Sequence, residues 1–106
     1  MITIVINAVN LIFDTVHRVF DDVASRFAVR VAELLRSERV RKGISMRRLA
    51  QKSGLSQPTI SYIERGLRIP SLDTAYRIAA ALDLDLSAVI KTATGLSTKA
   101  SRHSRR

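Results

Sequence analysis

Cysteine is absent from the 106 residues, so the chain builds neither a disulfide framework nor a thiolate metal site. That absence suits a reducing cytoplasm. Histidine occurs twice, at His17 and His103; both read as solvated surface residues, and no metal or cofactor is expected. No phosphate loop or nucleophile motif appears, which argues against an enzyme. Glycine and proline are scarce as well, the first of each being Gly43 and Pro58. Nothing in the opening 42 residues therefore forces a helix to stop. Met1 to Phe13 is uncharged and mostly apolar but has no basic flank, and Asp14 interrupts it short of the ~20 residues a bilayer requires. Neither a signal peptide nor a membrane span is expected from it.

Acidic residues are outnumbered, 9 against 18 lysines and arginines, for a net charge of +9. The excess is localised. Residues 1 to 27 sum to −1 and residues 67 to 90 to −1, whereas residues 28 to 66 carry +6 and residues 91 to 106 carry +5. A central segment and a tail thus hold the positive field, as expected of a surface that meets a polyanion with a loose electrostatic tail beside it. The length suits one folded domain with attachments.

Apolar residues in the first segment recur every seventh position in three rows: Ile2, Val9, Val16, Val23; Val5, Ile12, Val19; and Ile6, Phe13, Phe20, Phe27. Asn10, Asp14, His17, Arg18, Asp21 and Asp22 fall between them. The spacing predicts an amphipathic helix from about Asn10 to Phe27. Residues 1 to 8 stay undecided, because the β-branched run Ile2-Thr3-Ile4-Val5-Ile6 also fits a short strand or swapped arm.

Beyond Gly43 the punctuation tightens. Ser45 can cap a helix to about Ser53, Ser56 one to about Arg65 and Ser71 one to near Leu82, while Asp85 can cap a short helix from Leu86 to about Lys91. Gly54, between the first two, has the backbone freedom for a tight turn, and Leu49, Ala50, Leu55, Ile60 and Ile63 supply apolar contacts around it. This pattern is a helix-turn-helix signature.

Those residues carry a resemblance. The blocks Gly43-Ile44-Ser45, Leu49-Ala50-Gln51-Lys52-Ser53-Gly54-Leu55-Ser56, Ile60-Ser61-Tyr62-Ile63-Glu64-Arg65-Gly66, Pro70-Ser71-Leu72 and Ile78-Ala79-Ala80-Ala81-Leu82 resemble the Xre family of phage-repressor-like and Cro-like proteins. The likeness covers about residues 31 to 90. It implies an all-α, five-helix phage-repressor-like domain, here preceded by the long amphipathic N-terminal helix. The organisation expected is an oligomerisation segment at 1–30, the DNA-binding domain at 31–92 and a disordered basic tail at 93–106. The resemblance also implies that the helix from Gln57 enters the major groove of double-stranded DNA, usually as a two-fold dimer on a palindromic operator. Arg39 and Glu64 match family positions that form an ion pair. Met46 departs from the family's glutamine after the second helix's cap, and Asp83 stands where glycine is frequent.

On that helix Ile60 and Ile63 must face the core, so Gln57, Pro58, Thr59 and Tyr62 are the expected base-facing set. The amide of Gln57 suits the N6/N7 edge of adenine, and Pro58 offers apolar contact to a thymine methyl. Arg47, Arg48, Ser56, Arg65 and Arg68 are the expected phosphate contacts. Val16, Val19, Phe20, Val23 and Phe27 are expected to form a homodimer interface, the alternative being that the stripe folds back over the first and fifth helices of its own chain. The function that follows is a cytoplasmic, nucleoid-associated transcriptional regulator, a repressor, with no membrane partner. The alternative is an antitoxin that grips a toxin through Phe13, Phe20 and Phe27 and regulates its own operon.

Overall fold

Each short helix begins where the sequence supplies an oxygen for its first unpaired amides. The computed structural model describes residues 2–95 as five helices: α1 Ile2–Arg41, α2 Met46–Ser53, α3 Gln57–Glu64, α4 Leu72–Ala81 and α5 Leu86–Thr94, with no strand among the described residues. The hydroxyls of Ser45, Ser56 and Ser71 accept from the backbone N–H of Arg48, Thr59 and Thr74 at 3.0, 3.2 and 3.1 Å. The Asp85 carboxylate accepts from Ser87 N–H at 3.1 Å. All four caps expected from the sequence are formed, and each removes an orphan donor from the first turn. The fold class is the expected all-α one.

One element differs from the expectation. The N-terminal amphipathic segment and the first helix of the domain are a single helix of 40 residues, α1, with no break near residue 30. At 1.5 Å per residue this is a rod of about 60 Å. The run Ile2 to Ile6 is helical too, not a strand or arm. A lone strand leaves its ladder groups unpaired, whereas a helix satisfies them within the segment, and no glycine or proline interrupts it. Exposed pairs Asp22–Arg26 at 3.1 Å and Glu38–Arg41 at 2.7 Å support adjacent turns. Hydrogen bonding to Arg41 holds the Glu38 carboxyl below its ordinary range.

By length and composition α1 is also apolar enough to cross a membrane, a property the reading of Met1 to Phe13 missed because the apolar stretch continues past Asp14. Its apolar rows, however, share one arc of the helix. Asp14, Arg18, Asp21 and Asp22 fall on the opposite arc, the pattern of a helix with one buried and one wet face.

The core lies at the C-terminal end of this rod. Val31, Ala32 and Leu35 of α1 pack with Leu49 of α2, Ile60 and Ile63 of α3, and Ile78, Ala79, Ala81 and Leu82 at α4. Leu49, Ile60 and Leu82 are fully buried, each worth roughly 1.5–3 kcal/mol of transfer free energy. Helix α5 has no fully buried residue; Val89, Ile90 and Ala93 lean on the core beside α1. It continues past Lys91 to Thr94 and stops at Gly95, so residues 93 and 94 belong to it. The remainder of the basic tail, with His103, lies outside the described residues.

At the end of α4 the chain turns through Asp83, at φ 58° the one described non-glycine residue with positive φ. That is the position where the family resemblance implies glycine. The ammonium of Lys42 donates to the Leu82 carbonyl, placing a cation at the negative end of α4.

Candidate nucleic-acid interface

The tight corner between α2 and α3 is made by Gly54, at φ 76°, whose N–H donates to the Ala50 carbonyl. A side chain there would meet the left-handed backbone penalty that glycine escapes. Leu49, Ile60 and Ile63 bury the inner faces of the two helices. The outer face of α3 must then point away from the core.

That face carries an open groove of about 410 Å³ lined by Met46 of α2 and by Gln57, Pro58, Ser61, Tyr62 and Arg65. The α3 residues lie at i, i+1, i+4, i+5 and i+8, the spacing of one helical stripe. Gln57, Pro58 and Tyr62 are exposed on it as expected. Thr59 is placed elsewhere. It is half-buried, and its hydroxyl lies 2.7 Å from that of Ser56, inside the cap. The Ser56 hydroxyl also accepts from Thr59 N–H, so both groups are occupied at home. Ser61 lines the groove and was missed; its place four residues after Gln57 was the available signal. Met46 stands where the family resemblance implies glutamine, and its thioether gives that wall of the groove an apolar surface.

Around the groove, Arg47 and Arg48 are exposed on α2, Arg65 at the end of α3 and Arg68 in the following loop. Among the described residues no carboxylate forms an ion pair with any of the four. Arg39, by contrast, is buried and spent on structure. Its Nε and Nη2 donate to the two carboxylate oxygens of Glu64 at 2.6 and 3.0 Å, and its Nη1 donates to the Ile44 carbonyl at 2.7 Å. The bidentate pair ties α1 to the end of α3 and to the approach of α2. It thereby fixes α3 against the rod.

Residues 35–89 match the model of a helix-turn-helix family. The chain belongs to the Xre/Cro-like helix-turn-helix family. Its similarity to helix-turn-helix proteins extends to uncharacterized HTH-type transcriptional regulators of Mycobacterium tuberculosis, strains H37Rv and CDC 1551, at 52% identity over 48 residues. That alignment covers 45% of this chain and 34% of each relative. A third such regulator, of Sinorhizobium fredii, is 41% identical over 56 residues, covering 53% of this chain and 29% of that one. The chain thus spans about a third of the length of the curated relatives it matches.

The other expected interface lies outside the matched helix-turn-helix region. Val16, Val19, Phe20 and Val23 are exposed along α1, Phe20 at 69%. Phe27 is not part of that open face to the same degree, because it is half-buried against the protein's own core. His17 sits beside the row, its ring centroid 4.3 Å from that of Phe13.

Proposed function

We propose that the protein is a non-catalytic, sequence-specific DNA-binding transcriptional regulator that occupies a palindromic operator as a homodimer and represses by occupancy. The observation that carries this reading is the outer face of α3. Gln57, Pro58, Ser61 and Tyr62 offer a donor–acceptor amide, an apolar ring, a hydroxyl and a phenol along one stripe. Four arginines without carboxylate partners among the described residues flank it. Base edges require the first set and phosphates the second. The relatives are named as HTH-type transcriptional regulators, which accords with this assignment, and such a regulator would act at the nucleoid in the cytoplasm.

Two copies bring eight flanking arginines to one site. If most of them meet phosphates, raising salt from about 50 to 200 mM lowers affinity on the order of a thousandfold through counterion release. Selection on random duplexes should recover one palindrome, and titration of that duplex at several salt concentrations should show the steep slope. Weak binding to every duplex, indifferent to salt, would overturn the proposal.

A further inference from the structure

We infer that α1 pairs with α1 of a second copy as a parallel, in-register coiled coil, so that both helix-turn-helix units project from the same end of one rigid rod. The inference rests on the proposed dimer and adds its direction and register. The apolar repeat is seven residues over four turns of the pattern without drift, which favours left-handed winding of two helices about each other. Val9, Val16 and Val23 hold the first position of the repeat, Ile12 and Val19 the fourth, and Phe13 and Phe20 the fifth. These side chains are all exposed on the lone chain. Together with Ile2, Val5 and Ile6 they form an exposed apolar stripe of ten side chains, on the scale of the ~800 Å² per partner that a standard stable interface buries.

The flank decides the direction. Seventh positions are small or polar, Ala8, Thr15 and Asp22, whereas fifth positions are large, Ile6, Phe13, Phe20 and the half-buried Phe27. In a parallel pair the fifth position of one helix faces the seventh of the other. Phe13 then lies over Ala8 of the second copy and Phe20 over Thr15, large against small on both seams, while Asp22 falls at the inner end beside Phe27, which the protein's own core already half covers. An antiparallel pair sets the phenylalanines against each other on one seam and leaves Ala8, Thr15 and Asp22 to face their like on the other. The polar arc, with Asp14, Asp21 and Asp22 against Arg18 and Arg26, is slightly acidic, which disfavours an anionic lipid surface as the occupant.

Because α1 is unbroken from this repeat into the core, its direction sets the spacing of the two reading helices. Packed helices lie 8–10 Å apart, and α3 packs on α1, so a parallel pair holds the two α3 helices within about 30 Å of each other. One turn of DNA separates successive major-groove faces by ~34 Å. An antiparallel pair centred on the repeat would part the domains by about 60 Å.

The chain has no cysteine, so single substitutions Val9→Cys and Val23→Cys can be read cleanly. Both full-length variants, checked for helicity by circular dichroism, should form covalent dimers in high yield under mild copper–phenanthroline oxidation. In any antiparallel pair the two self-separations add to at least about 42 Å, whatever the centre. Both sites cannot then come within the ~7 Å that a disulfide needs. A sedimenting dimer in which only one site or neither links would overturn the inference. So would a monomer, or a monomer that pellets with phosphatidylglycerol vesicles. Crosslinking reads no DNA: a linked pair that retains no duplex would sink the operator reading alone, and a DNA binder that fails to link would sink this one alone.

Discussion

Arg39 shows how one side chain can be indispensable without meeting any ligand. The residue sits at 9% exposure, its guanidinium making two bonds to Glu64 and one to the Ile44 carbonyl. The pair has no simple net value, since desolvating both charges offsets much of their attraction. Removing one partner is different, because the other charge stays buried and unpaired. Arg39→Ala should therefore lower stability by about 3–5 kcal/mol in urea unfolding. The double variant Arg39→Met/Glu64→Leu should recover much of that loss. Equal destabilisation by the single and double changes would show that packing, not the orphaned charge, sets the effect.

Among the elements, the short helices were legible in the sequence because each has a local cause. A capping oxygen at Ser45, Ser56, Ser71 or Asp85 acts within three residues of itself, and so does the turn at Gly54. What could not be seen from local pattern was how α1 runs through residue 30. A helix continues by default, and only tertiary packing marks where Phe27 and Val31 begin to face the core. Thr59 lies off the groove for a related reason: helical position put it near the groove, but its hydroxyl pairs with Ser56. The proposed division of labour on α3 can be measured. Gln57 reaches out from the first turn, whereas Arg65 sits at the last, among cations. Gln57→Ala should weaken the selected operator by ~1–3 kcal/mol and relax preference at one base position. Arg65→Ala should weaken all duplexes alike and flatten the salt slope by about one. Binding selection repeated with each variant checks this, and identical shifts across all sequences for both would refute the division.

At the scale of the whole molecule, α1 couples an apolar stripe to a DNA-reading unit through one continuous helix. The core ends at Phe27, and Phe20 lies seven residues farther along the rod, about 10 Å away. A charge placed there therefore leaves the folded domain intact. Burial of Val16, Val19, Phe20 and Val23 in a dimer is worth ~1.5–3 kcal/mol for each side chain. Association entropy and side-chain ordering oppose it by several kcal/mol. The balance favours a stable dimer, yet one aspartate in the seam suffices to reverse it, since a carboxylate cannot be buried there without a partner. Phe20→Asp should yield a monomer by sedimentation equilibrium, with helicity and the unfolding midpoint of the domain nearly unchanged. Operator affinity should fall by two orders of magnitude or more, because each half-site must then be filled independently, without the high local concentration that a tethered second domain provides. The same variant should bind a single half-site as well as the parent chain does. If it remained dimeric and held the full operator at parental affinity, the stripe on α1 would have no part in assembling the two reading helices.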